Sequence, residues 1–307
     1  MTSTIIIDAS TAPAPVPASP ARRPEGPAPR LTFGGVLRSE RIKLSSLRSI
    51  RITLLITALL GLGLSALIAL AWSSEVMGSG AAAADSAGLQ AYLLIVSTFT
   101  APFLALVFGV LGVFAISSEY SSGMILSTLT AVPMRTPVFV AKALVTAVIA
   151  AVTALLLVLG GLAVAVAFLP DAASELGSAA VVSGALGTVA YLVLITLLAF
   201  GVAGLLRSTA GGIAVAAGIT FVLPIAFQLL ALTGWEWVPT VAAYLPSELG
   251  GTLSQGISEA ALAAMATVES AGAASGPGYW LALGSMTAWA AVVVVPAAIA
   301  FRRRDAR

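Results

Sequence analysis

The 307-residue chain contains no cysteine and no histidine. Disulfides, thiolate nucleophiles, imidazole bases and most zinc sites are excluded together. Charge is nearly as scarce: 9% of residues are charged, 59% are apolar, and the mean hydropathy is +1.05. Soluble domains are about 25% charged, so this chain lacks the polar side chains that a water-facing surface needs. Lysine is rare too, with two residues against thirteen arginines. Together with abundant alanine, this points to a GC-rich bacterial genome. No Gly-x-x-x-x-Gly-Lys-[Ser/Thr] loop occurs, and no Gly-Lys pair at all, so the chain cannot cradle ATP in that way.

What is present is long apolar runs. A membrane-spanning helix uses about 20 mostly apolar residues. Six stretches qualify, at about 52–72, 91–116, 143–169, 179–206, 210–232 and 279–301, and none holds Lys, Arg, Asp or Glu. The fold class expected is therefore an all-α polytopic membrane protein with six transmembrane helices. The basic residues give an independent check. They fall at 22–51, at Arg135 and Lys142, at Arg207 and at 302–307, while the alternate loops 73–88, 170–178 and 233–278 contain only acids. The positive-inside rule then puts both termini in the cytoplasm. Five or seven spans would leave one basic end on the wrong side.

Residues 1–30 hold seven prolines and no apolar core long enough for a signal peptide. They read as a disordered cytoplasmic tail, and 302–307 as a short basic one. Pro102, Pro224 and Pro296 lie inside spans and predict kinks, since neighbours in a membrane bundle re-satisfy the freed carbonyls. Pairs such as Gly184/Thr188, Gly212/Ala216 and Ala214/Gly218 permit close helix contact, although so small-residue-rich a chain produces such pairs by composition alone. Gln228 is the most polar large side chain within a span, expected either to bond between helices or to meet a substrate.

Two cytoplasmic segments carry more pattern than linkers. In 31–51, Phe33, Val36, Leu37, Leu44 and Leu47 fall on one helical stripe with arginines beside it. That is the pattern of an amphipathic interfacial helix lying under the bilayer. Glu40 falls on the apolar stripe. It either pairs locally with a neighbour such as Lys43 or meets a cation from another segment. In 117–142, a helix at about 121–130 would put Met124, Ile125 and Leu129 on one side, with Pro133 and Pro137 beyond it. Such a helix suits the membrane surface or a groove on a partner.

The run Glu119-Tyr120-Ser121-Ser122-Gly123, then Thr128-Leu129, Pro133-Met134-Arg135 and Ala141-Lys142, resembles the Glu-Tyr-x-x-Gly…Thr-Leu…Pro-x-Arg…Ala-Lys pattern of the membrane (permease) subunit of type-2 ABC transporters. Ser39-Glu40-x-x-Lys43 is similar to a second signature, with Arg41 where many relatives have Trp. Tyr244-Leu245-Pro246-Ser247 is similar to a third. The resemblance covers roughly residues 36–301. It implies a cytoplasmic coupling helix between spans two and three, inserted into a separately encoded ATPase. Glu119, Tyr120, Gly123, Met124, Ile125, Leu129, Arg135 and Lys142 would be the coupling residues, with Glu40 and Lys43 on the interfacial helix. It further implies a second permease subunit and a bacterial plasma-membrane location. The long external loop between spans five and six would be a re-entrant lid. Pro102 and Pro224 would be flex points.

On this reading the chain is no enzyme and holds no cofactor, ATP and Mg being bound by the partner, and nucleic acid is no partner. The expected function is export of amphipathic or apolar molecules. A stand-alone carrier or channel is the first alternative, set against the lack of any ionisable residue within a span. A non-transporting scaffold or sensor is the second.

Overall fold

A computed structural model describes residues 32–46, 48–79, 85–121, 124, 135–257 and 276–303. The expected tail at 1–30 lies outside these residues, as does most of the segment expected to form the coupling helix.

All regular elements among the described residues are helical. In chain order they are α1 (Phe33–Ser46), α2 (Arg48–Ser79), α3 (Ser86–Thr98), α4 (Ala101–Ser121) and α5 (Arg135–Phe168). A 3-10 turn (Pro170–Glu175), α6 (Ala179–Leu206) and α7 (Thr209–Ala217) follow. A π-helical segment (Gly218–Val222) then leads into α8 (Leu223–Ala231), α9 (Trp237–Ala242), α10 (Pro246–Gln255) and α11 (Tyr279–Arg303). Six helical stretches are long and apolar enough to cross a membrane: Ile50–Trp72, Ser86–Tyr120, Arg135–Phe168, Ala179–Leu206, Thr209–Ala231 and Tyr279–Arg303. The protein is an all-helical membrane protein with six candidate spans.

Several spans outrun their apolar cores. The second reaches from Ser86 to Tyr120 and the third begins at Arg135, because a helix stops where its backbone is capped or broken, not where hydrophobicity ends. At 34 residues, α5 is about 50 Å long against an apolar layer of about 30 Å.

The prolines act differently. Span two is interrupted at Phe99-Thr100, with Pro102 the second residue of the helix that resumes. Pro102 has no N–H to give to the Thr98 carbonyl, four residues back. In span five, Pro224 follows a π-turn in which the Leu223 amide donates to the Gly218 carbonyl. A π-turn beside a proline is a recognised source of bending. Pro296 sits within an uninterrupted α11.

The bundle is organised around α6. It is apolar on all sides, starts at an N-cap where the Val181 amide donates to Ser178 Oγ, and ends at Arg207 in the left-handed region (φ 52°). Tyr191, Leu192, Ile195, Leu198 and Phe200 are fully buried along it. Neighbouring helices come close where side chains are small. A Cβ on Gly201 would lie 2.9 Å from the Val294 nitrogen of α11, and one on Gly212 3.0 Å from Val113 of α4. Two of the three expected small-residue pairs, Gly184/Thr188 and Gly212/Ala216, lie at such contacts, whereas Gly218 faces open space.

The segment between spans five and six folds back onto the bundle. On α10, Leu249 and Leu253 are fully buried, and Gly250 lies under the Tyr191 ring. Tyr279 Oη donates to the Ser183 carbonyl (2.9 Å), the Ile257 amide to Ser183 Oγ (2.7 Å), and Trp289 Nε1 to the Tyr244 carbonyl (2.9 Å). Trp235 and Trp237 stack with centroids 5.9 Å apart and remain exposed.

Candidate functional site

The first span is preceded by α1, whose buried positions are Val36, Glu40 and Leu44. A spacing of four puts them on one face. Val36 packs on Val138 and Ala141 near the start of α5, and Leu44 enters the main core. Glu40 therefore points where a lone carboxylate would be costly. The second turns of α5 and the last turn of α4 bring Lys142 and Glu119 to the same place.

Glu40 is 1%, Lys142 2% and Glu119 4% exposed. Lys142 Nζ lies 2.5 Å from Glu40 Oε2 and 2.9 Å from Glu119 Oε1. Lys43 Nζ lies 2.8 Å from Glu40 Oε1 and 3.1 Å from Glu119 Oε1. The four groups form a closed ring of alternating charge with zero net charge. It joins three helices from positions 76 and 102 residues apart. Both lysines of the chain are in it.

Both readings of Glu40 hold at once, since it has a local partner in Lys43 and a distant one in Lys142. Burial by itself would pull the Lys43 ammonium down. The bonds and charges of Glu40 and Glu119 outweigh it and hold the group above its ordinary value. Glu119 Oε2 is buried with no hydrogen-bond partner among the described residues. Such a ring is costly to disrupt: removing one member of a buried ion pair leaves an uncompensated charge, at about 3–5 kcal/mol.

The same end of α4 is held from its other side. The Arg207 guanidinium lies over the Tyr120 ring, 5.4 Å from its centroid. Thr209 Oγ1 donates to Ser117 Oγ at 2.9 Å. Ser208 caps α7 by accepting from the Gly211 amide. The short corner between spans four and five is thus fastened to the end of span two. Arg207 and Thr209 had no motif to mark them; their only sequence signal was a lone arginine between two apolar runs. Phe139 stacks at a tilt on both Phe200 and Phe301, bringing the end of α11 to this region.

Of the residues expected at a coupling site, Glu119 and Lys142 meet in the ring and Tyr120 adjoins it. Arg135 opens α5 and is half-buried, and Met124 is exposed. Gly123, Ile125 and Leu129 lie outside the described residues, as does Leu47 of the α1 stripe. Phe33, also expected on that stripe, is exposed. Pro102, Pro224 and Gln228 are not members of the ring. Gln228 is exposed on α8, one turn from Ile225 and Leu232, which are exposed as well. Among the described residues, no three His, Cys, Asp or Glu side chains come together as a metal site would require. No protein-family model matches the chain, and no curated protein matches it.

Proposed function

We propose that the chain is the permease subunit of a type-2 ATP-binding-cassette transporter, working as an exporter of amphipathic or apolar molecules in a bacterial plasma membrane. The observation that supports this reading is the ring. Its acids and bases come from two separate stretches of the resembling pattern, Ser39-Glu40-x-x-Lys43 and Glu119…Lys142, and they converge on both ends of the segment 122–134.

A force applied to that segment by a cytoplasmic ATPase would reach α1, α4 and α5 together, because the ring resists separation of any one of them. The interrupted span two and the π-turn of span five give the bundle places to bend. ATP and Mg belong to the partner chain; this chain supplies the pathway, with a second permease subunit, and both termini face the cytoplasm.

The test is purification with the ATPase encoded beside the gene, followed by reconstitution. ATP hydrolysis stimulated by this chain, and lost with Leu129→Asp, is the expected result. Absence of a co-purifying ATPase, with transport unchanged by Leu129→Asp, overturns the proposal. So does labelling of a thiol introduced at Ser127 from outside intact cells.

A further inference from the structure

Where span two is interrupted, four spans surround a narrow, mostly enclosed cavity. The centre of a water molecule has about 10 Å³ in which to move, close to the minimum that holds one water. Its wall is mixed. Leu104, Leu157 and Leu192 supply apolar surface, and Ser65, Ser97, Thr100 and Thr188 bring four hydroxyls from α2, α3, the break itself and α6.

These hydroxyls differ in what they have left to offer. Ser97 Oγ already donates to the Leu93 carbonyl at 2.7 Å. The Thr188 hydroxyl lies 2.8 Å from the Gly184 carbonyl and 3.1 Å from Ser254 Oγ, so its proton is also committed. Both retain lone pairs and can accept. Ser65 and Thr100 are 2% and 3% exposed, and no hydroxyl bond joins either to a described residue. They can donate as well as accept. Two free donors and two free acceptors around one water-sized space match the two to four partners of a buried water. Deep in a membrane bundle, bulk solvent is not at hand to serve such groups.

We propose that this cavity is a binding site for one resident water molecule, bridging Ser65 of the first span and Thr188 of the fourth to the broken backbone of the second. The water serves hydroxyls on either side of the break, Ser97 and Thr100, together with those of the neighbouring spans. It makes the interruption a wet hinge whose partners can exchange as the helix bends. The site depends only on the packing of spans one to four and is independent of what the chain transports.

Two measurements on the full chain in lipid nanodiscs test it. The sign of the effect of Ser65→Ala and Thr100→Val separates a wet cavity from a dry one. With water present, each substitution removes a partner and lowers the unfolding temperature by about 2–4 °C. With none, each removes an unsatisfied buried hydroxyl, and the temperature stays level or rises, which overturns the proposal. An experimental density map should show one solvent peak about 2.7–3.1 Å from at least two of the four oxygens. An empty cavity there overturns it. So does an unfolding temperature that depends on Na⁺ rather than K⁺ or choline, since the occupant would then be a cation.

Discussion

At the end where the lysines meet, three helices are joined by long charged side chains. At the opposite end, α10 and the start of α6 are joined through backbone and hydroxyl groups that come together because glycine leaves room. Gly256 there has φ +69° and ψ −168°, a conformation essentially reserved for glycine. The two closures fail in opposite ways. Lysine stems can follow a shifting helix while the ammonium keeps its partners, so the ionic end tolerates displacement and not loss of a charge. The contacts that join the glycine end are uncharged and tolerate almost no displacement.

The largest effect is expected from Lys142→Met, which leaves two buried carboxylates facing Lys43 alone. It should cost about 3–5 kcal/mol in denaturant or thermal unfolding. Adding Glu119→Gln restores charge balance between Glu40 and Lys43 and should recover part of that loss. If Lys142→Met alone is neutral, the ionic end is not closed by charge. At the other end, Gly256→Ala should cost about 1–3 kcal/mol from backbone strain. A further penalty comes from its Cβ meeting the Ala180 carbonyl oxygen. The same assay reads it, and no charge change should rescue it.

Smaller effects sharpen the contrast. Arg207→Ala keeps a non-glycine residue in the left-handed region and removes the contact over Tyr120, for a loss of about 0.5–1 kcal/mol. Arg207→Gly loses the same contact but relieves the backbone, and should lie closer to wild type. Smallest is the alkaline response of Lys43. Its pKa is raised from the usual 10.5, so the stability it adds is complete below that value and is lost as pH rises through the higher, folded-state one. The gap in unfolding temperature between wild type and Lys43→Met should therefore be constant at neutral pH and close in strong alkali.

Six runs of apolar residues make the spans legible from sequence, and the fourth falls at 179–206 in both readings. The polar ends of span two were not legible. Ser117 and Glu119 look like a loop until Thr209 and Lys142 are seen to meet them. Pro102 marked a bend in span two, but its consequence, a two-residue interruption lined with hydroxyls, depends on Ser65 and Thr188 from distant spans. Glu40 on an apolar stripe announced a partner, while a separation of 102 residues hid which one. The rarity of lysine was the available clue. Gln228 illustrates the opposite problem: span five is apolar all round, so its pattern carries no information on which face packs. The burial of α10 was equally hidden, since Pro-Ser-Glu-Leu-Gly-Gly-Thr-Leu-Ser-Gln is not a hydrophobic run and packs through its glycine and two leucines.

The arginines tell a complementary story. Arg38, Arg41, Arg48, Arg51, Arg302 and Arg303 are all exposed, while every lysine is cancelled by a neighbouring carboxylate. The electric field leaving that end of the folded protein is therefore a guanidinium field. An anionic headgroup layer would be gripped by planar, fork-shaped donors suited to phosphate oxygens, and neutralising the lysine ring would leave that grip intact.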